Sequence, residues 1–115
     1  MKHFIDISNF ELKKIDSIIK KAKQIKKNPK KFSSKCKYKT LGMIFQKDST
    51  RTRASFTVGF QKLGGHTLEL NTKSIGFGKR ESVEDILRAL AQYIDILVLR
   101  NDDHELLKKL SALNA

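Results

Sequence analysis

Apolar residues near the start of the chain recur at every third or fourth position. Leu12, Ile15, Ile19 and Ala22 form this stripe, Ile18 and Ile25 widen it, and lysines fill most positions between them. The period predicts an amphipathic helix over residues 10–27, capped by Asp6, Ser8 or Asn9. Asn28-Pro29 should end it, because proline restricts the preceding residue and cannot donate a backbone hydrogen bond. Residues 30–39 then form a polar connector.

A short apolar run follows the connector and alternates with a helical pattern. Residues 40–45 are almost free of charge, which predicts a strand covered on both faces. After a polar loop at 46–49, helical spacing returns at Ala54, Val58 and Leu63. Gly64-Gly65 should close this helix, because glycine adopts the left-handed conformation without strain. Residues 66–70 then predict a second strand.

The remaining third of the chain repeats the strand and helix order. Residues 71–80 contain two glycines and no period, which predicts a loop. Ser82 and the acids after it begin a helix over residues 83–93, whose predicted buried stripe consists of Ile86, Leu87, Leu90 and Tyr93. Residues 94–99 form the most apolar segment, and a last helix is signalled by Asp102 or Asp103 with Leu106, Leu107 and Leu110. The alternation predicts an α/β fold, a parallel sheet with helices on both faces.

Length and composition narrow the class of protein. The chain has 115 residues, enough for one small domain, and its hydrophobic fraction of 39% permits a packed core. The single cysteine, Cys36, excludes an internal disulfide framework and suits a reducing compartment. The longest apolar run, residues 96–99, is far too short to span a bilayer, so we expect a cytoplasmic protein without membrane contact.

Positive charge is concentrated in one part of the sequence. The formal net charge is +12, and twelve lysines lie between Lys13 and Lys39 with Asp16 as the only acid among them. Such a cluster raises the hypothesis of nucleic-acid binding. The cluster lacks arginines, however, and offers only Phe32 and Tyr38 for stacking on bases. The favoured interpretation is a solvated helix face, without a nucleic-acid partner.

The segment with the clearest chemistry is residues 47–53, KDSTRTR, between a predicted strand and a predicted helix. Unpaired N–H groups and the helix dipole favour an anion at a helix start, and Ser49, Thr50 and Thr52 add hydroxyl donors. Arg51 can form a charge-assisted fork with phosphate oxygens. Simple helix capping with surface arginines is the alternative. The segment lacks the glycine pattern of a nucleotide-binding P-loop.

Arg100 strengthens the anion hypothesis. It directly follows the apolar run at 94–99, and ligands of open α/β sheets collect outside the carboxyl ends of the strands. If this strand is a parallel neighbour of the strand before Ser49, both cationic elements open at one edge. The alternative is a strand-end charge paired with Asp102 or Asp103.

Five segments of the chain resemble the aspartate and ornithine carbamoyltransferase family. They are STRTRASF at 49–56, LGGH at 63–66, GKRES at 78–82, DILVLR at 95–100 and KHFIDIS at 2–8. The first and last of these are similar to the carbamoyl-phosphate signature and to the opening of the ornithine branch. The resemblance implies that residues 1–115 are the carbamoyl-phosphate-binding domain, incomplete at its C-terminal end, with the amino-acid-binding domain and its His-Pro-x-Gln segment absent.

The resemblance also implies roles for individual residues. Ser49, Thr50, Arg51 and Thr52 would hold the phosphate of carbamoyl phosphate, and Arg51 and Arg100 would neutralise charge on the leaving group. Arg53 is expected to be structural. The resemblance implies that neither a metal nor another cofactor takes part. It also implies a homotrimer or a higher assembly, in which a loop corresponding to residues 74–80 reaches the neighbouring site. Lys79 and Arg80 are the candidates for that contact.

Two departures from the family pattern fall beside these sites. Gly76 stands where the ornithine branch often has glutamine, and Asp48 stands where proline is frequent. The implied function is the first part of an ornithine carbamoyltransferase of arginine biosynthesis, which makes citrulline from ornithine, with the fragment alone inactive. A fragment of an aspartate or other amine carbamoyltransferase and a non-catalytic anion-binding module are the alternatives.

Overall fold

Three parallel strands form the centre of the fold. The computed structural model describes residues 10–45, 50–71 and 83–100, together with residues 3, 4, 6 and 8. Strands β1 (Thr40–Phe45), β2 (His66–Asn71) and β3 (Ile96–Arg100) lie in the order β2-β1-β3. Phe45 at the end of β1 is in register with Asn71 on one side and with Arg100 on the other. All three strands therefore end at the same edge of the sheet.

Two helices cover opposite faces of this sheet. Helix α2 (Thr50–Lys62) contributes Phe60 to a buried cluster with Leu41, Met43 and Phe45 of β1. Helix α3 (Val83–Leu90) contributes Leu87 to a second cluster around Ile44. Side chains alternate between the faces of a strand, so odd-numbered β1 residues face α2 and even-numbered ones face α3. The predicted α/β fold with helices on both faces is confirmed.

The two helices lie on opposite faces because the two crossovers run in opposite directions. From β1 the chain passes through α2 to β2 on one side, and from β2 it passes through α3 to β3 on the other side. Parallel crossovers are nearly always right-handed. Reversing the direction of a right-handed crossover moves its helix to the other face of the sheet.

Two glycines shape the connections of the sheet. Gly64 has φ +92° after α2 ends, a conformation that glycine adopts without the penalty of a Cβ. On β1, a Cβ at Gly42 would lie 2.8 Å from Cδ1 of Ile94. The missing side chain therefore lets Ile94 approach the sheet just before β3 begins.

Helix α1 (Leu12–Lys27) lies apart from these clusters. It is followed by a 3-10 helix, Pro29–Phe32, whose Phe32 is buried beneath Lys21 Nζ at 5.7 Å from the ring centroid. No residue of α1 itself is buried, and Leu12, Ile18 and Ile19 of its apolar stripe are exposed. The predicted helix is confirmed, but most of its apolar stripe remains uncovered in this structure.

Several predicted details are wrong. Tyr93 is 75% exposed, because α3 ends at Leu90 and the chain has left the helical path before reaching it. The helix predicted from Ala54, Val58 and Leu63 is confirmed, although Ala54 and Val58 are exposed and the buried residue of α2 is Phe60. Strand β3 begins at Ile96, two residues later than predicted, and the connector at 30–39 is partly 3-10 helix.

Other predictions fall outside the described residues. These are the loop at 46–49, the helix start at Ser82, the last helix after Asp102 or Asp103, and residues 72–80 of the loop predicted at 71–80. Asn71, the first residue of that predicted loop, is instead the last residue of β2. Within the described parts of the chain, no helix has both the length and the apolar character needed to cross a bilayer.

Candidate functional site

The site lies where α2 begins and β3 ends. Arg100 is the last residue of β3, and its register partner is Phe45, the last residue of β1. Val98 packs against the cluster on the α2 side. Because alternate strand residues share a face, Arg100 lies on the α2 side as well. The register therefore places a cation beside the first turn of α2.

A side-chain hydrogen bond joins these two elements. Arg100 Nη1 donates to Thr52 Oγ1 at 3.4 Å, across 48 residues of sequence. Thr52 is half-buried and Arg100 is exposed. The bond is long for an N–H···O contact, so it guides the guanidinium rather than fixing it firmly. The predicted meeting of Arg100 with the segment at 50–52 is observed at Thr52.

The first turn of α2 has the groups that an anion needs. The helix begins at Thr50, and the N–H groups of a first helical turn have no intrahelical acceptor. Thr50 and Arg51 are exposed, whereas the Ser55 hydroxyl donates to the Thr52 carbonyl at 2.9 Å. The backbone N–H groups of a helix start, the helix dipole, the exposed Arg51 and the guanidinium group of Arg100 together favour a phosphate or carboxylate ligand.

The Arg53 side chain contacts the sheet, whereas Arg51 is exposed. Its Nε lies 2.5 Å from Oε1 of Glu69 on β2. This contact agrees with the expected structural role of Arg53. Glu69 is not among the predicted site residues. The alternation of β2 nevertheless contains the signal, because Glu69 is a polar residue between Leu68 and Leu70.

The described residues include four of the predicted site residues, Thr50, Arg51, Thr52 and Arg100. Ser49, Lys79 and Arg80 lie outside the described residues, so their placement stays a prediction. Within the described ranges, no group of three or more His, Cys, Asp or Glu side chains could hold a metal ion.

A comparison with known protein families covers almost the whole chain. The sequence profile described as the carbamoyl-P binding domain of aspartate/ornithine carbamoyltransferase matches residues 2–115. The chain belongs to the aspartate/ornithine carbamoyltransferase family. The match confirms the resemblance found in the five sequence segments. Members of this family are transferases that transfer a carbamoyl group.

Individual members of the family are similar in sequence and in fold. The ornithine carbamoyltransferase of Chlorobaculum tepidum is 45% identical over 93 residues, which cover 81% of this chain and 27% of that protein. The anabolic ornithine carbamoyltransferase structure from Campylobacter jejuni has a TM-score of 0.87 at 36% identity, covering 97% of this chain and 36% of that one. The catalytic subunit of aspartate transcarbamoylase from M. jannaschii has a TM-score of 0.86 at 31% identity, covering 97% and 38%. The chain thus spans about a third of the length of these carbamoyltransferases.

Proposed function

We propose that this chain binds carbamoyl phosphate at the first turn of α2. The observation that supports the proposal is the hydrogen bond from Arg100 to Thr52, which brings a second cation to an anion-binding helix start. The phosphate would accept hydrogen bonds from the backbone and hydroxyls of Ser49, Thr50 and Thr52. Arg51 and Arg100 would supply charge.

In the proposed reaction, an amine nitrogen attacks the carbamoyl carbon of the bound ligand. A C–N bond forms, the C–O bond to the phosphate breaks with its electrons staying on the phosphate oxygen, and the amine loses a proton. Arg51 and Arg100 would stabilise the charge that grows on the departing phosphate. Positioning and electrostatics are the contributions of these residues, and no covalent intermediate on the protein is required.

Ornithine is the proposed second substrate, and citrulline with phosphate the products, as a step of arginine biosynthesis. The ornithine carbamoyltransferase relatives support this choice over aspartate. Residues 1–115 would form the carbamoyl-phosphate-binding domain, with ornithine bound by a second domain. We further propose a cytoplasmic trimer, in which Lys79 and Arg80 reach the site of the neighbouring subunit.

A binding titration with two matched arginine variants tests the carbamoyl-phosphate site. The wild-type chain, Arg51→Ala and Arg88→Ala are titrated with carbamoyl phosphate and with inorganic phosphate by isothermal calorimetry. Arg88 is an exposed arginine near the end of α3, so its removal changes net charge equally away from the site. Loss of a charged hydrogen bond costs about 1.5–3 kcal/mol, which is roughly a 10- to 100-fold loss of affinity.

The pattern of the two variants decides the outcome. A large loss for Arg51→Ala with less than about a twofold change for Arg88→Ala supports the site. Equal losses for both variants would show that binding follows net charge alone, and absence of binding to the wild-type chain would reject the proposed function.

A further inference from the structure

The first turn of α2 is attached to both outer strands of the sheet. On one side, Thr52 accepts the hydrogen bond from Arg100 of β3. On the other side, the adjacent residue Arg53 forms its ion pair with Glu69 of β2. Since β2 and β3 flank β1, the two contacts connect the helix start to strands on opposite sides of β1. Two consecutive residues therefore hold the turn that contains Arg51.

The strand register explains why Glu69 is available to Arg53. Glu69 is paired with Met43 in the sheet, and Met43 belongs to the cluster on the α2 face. Its neighbour Leu70 packs in the cluster on the α3 face. Alternation along β2 thus directs Glu69 toward α2. The position of the carboxylate follows from the pairing of β1 with β2 and does not depend on a loop.

The ion pair is poorly suited to stabilising the fold as a whole. Both side chains are more than a third exposed, at 37% for Arg53 and 43% for Glu69. Pairs this exposed are screened by water and contribute little to the free energy of unfolding. Its geometric effect can still be large, because ligand recognition depends on small displacements and rotations of the groups that contact the ligand.

We infer that the Arg53–Glu69 pair is a brace that orients the first turn of α2 for anion binding, with Glu69 as an acidic positioning residue for a cationic site. The inference rests on the proposed function. In this role Glu69 increases the affinity for an anion, although its own negative charge would decrease that affinity. A carboxylate near an anion site weakens binding through space, whereas this carboxylate strengthens binding by holding Arg53.

Glu69→Gln separates these two effects by the direction of the change. The substitution keeps the shape of the side chain and removes its negative charge. Electrostatics alone would then raise the affinity for phosphate. Loss of the brace lowers the affinity, and we expect a three- to tenfold fall, about 0.7–1.4 kcal/mol by the affinity relation. Glu11→Gln is the matched control, because it removes the same charge from an exposed residue before α1 that makes no side-chain cap bond.

Arg53→Lys gives a second test at constant charge. Lysine keeps the positive charge but lacks the planar guanidinium that contacts the Glu69 carboxylate. We expect a loss of affinity similar to that of Glu69→Gln. The double variant should bind as well as the weaker single variant, because both substitutions break the same contact. Independent electrostatic effects would instead combine additively.

The experiment is calorimetric titration of the 115-residue chain with inorganic phosphate and with carbamoyl phosphate, at a temperature where every variant is folded. Cα chemical shifts of residues 50–53 are recorded by NMR without ligand. Weaker binding in both single variants, non-additivity and shift changes confined to this turn support the brace. Unchanged or stronger binding in Glu69→Gln would overturn it. If the wild-type chain binds neither ligand, the proposed function fails, and the ligand-free shifts alone decide whether the pair orients the turn.

Discussion

Asp95 and Thr40 join the beginnings of β3 and β1 through two hydrogen bonds. The Asp95 N–H donates to the Thr40 carbonyl at 2.9 Å, and the Thr40 N–H donates to Asp95 Oδ2 at 2.9 Å. Lys39 Nζ lies 3.9 Å from the other carboxylate oxygen. The carboxylate therefore satisfies a backbone donor just where the pairing of the two strands starts.

Asp95→Ala should lower the free energy of unfolding by about 1–2 kcal/mol, because the Thr40 N–H loses its acceptor at a partly exposed position. Urea denaturation measures the change. Glu11→Ala is the control, since Glu11 precedes α1 without a side-chain cap bond. A change for Asp95→Ala no larger than that of the control would contradict this account.

Tyr38 provides a test of local backbone strain. It has φ +66°, a left-handed conformation that is unfavourable for residues with a Cβ, and its side chain is 85% exposed. Asparagine tolerates this conformation better than alanine. The free energy of unfolding of Tyr38→Asn should therefore be about 0.5–1 kcal/mol larger than that of Tyr38→Ala, so that the asparagine variant is the more stable one.

Both variants lose the contact between Lys37 and the Tyr38 ring. The difference in stability between the two variants therefore contains no contribution from that contact. Thermal and urea unfolding should agree in the order of the variants. Equal stabilities would indicate that the conformation of residue 38 has no measurable cost.

The hydroxyl of Thr52 should matter for anion binding through Arg100. Thr52→Val removes the acceptor while keeping the volume, and we expect a roughly fivefold loss of phosphate affinity, near 1 kcal/mol. Thr52→Ser retains the hydroxyl and should restore most of the affinity. The phosphate affinity of both variants is measured by titrating phosphate and recording the rise in melting temperature that it causes. A loss of affinity in Thr52→Ser as large as that in Thr52→Val would show that the hydroxyl does not account for the effect.

The isolated 115-residue chain should bind carbamoyl phosphate without making citrulline. The site described above supplies groups for the phosphate, and binding of ornithine is assigned to a second domain. Incubation with carbamoyl phosphate and ornithine, followed by a colorimetric citrulline assay, tests this. Steady citrulline production by the pure chain would contradict the proposed division of roles.

Shared sites between subunits can be tested by mixing variants of an enzyme that contains this domain and a second one. One subunit carries Arg51→Ala and the other carries Lys79→Ala with Arg80→Ala. Hybrid trimers should regain part of the activity, because some interfaces combine two intact halves. Hybrids that demonstrably form but stay inactive would remove Lys79 and Arg80 from the proposed site.

Local patterns predicted the framework of the site well. The charge-free run at 40–45 gave the bounds of β1, and Gly64 with φ +92° marks the end of α2 as expected. These features depend on residues close in sequence. The position of Arg100 was also predictable, because parallel strands end at one edge.

The contacts of the site with the rest of the sheet were harder to predict. The pairing of Arg53 with Glu69 and of Asp95 with Thr40 depends on strand register, which no single stretch of sequence determines. Tyr93 was misassigned for a related reason. Its helical spacing continues the stripe of α3, but the chain leaves the helix at Leu90 so that Ile94 can pack at Gly42.

The order of the strands has a consequence for a nascent chain. β1 is made first of the three strands, yet it occupies the centre of the sheet, and its partner β3 follows only after β2. Until β3 is synthesised, one side of β1 is an open edge able to pair with other chains. The last residue of β3 is Arg100, so the same event that closes this edge also delivers the second cation to Thr52. Phosphate affinity would therefore report whether β3 has docked.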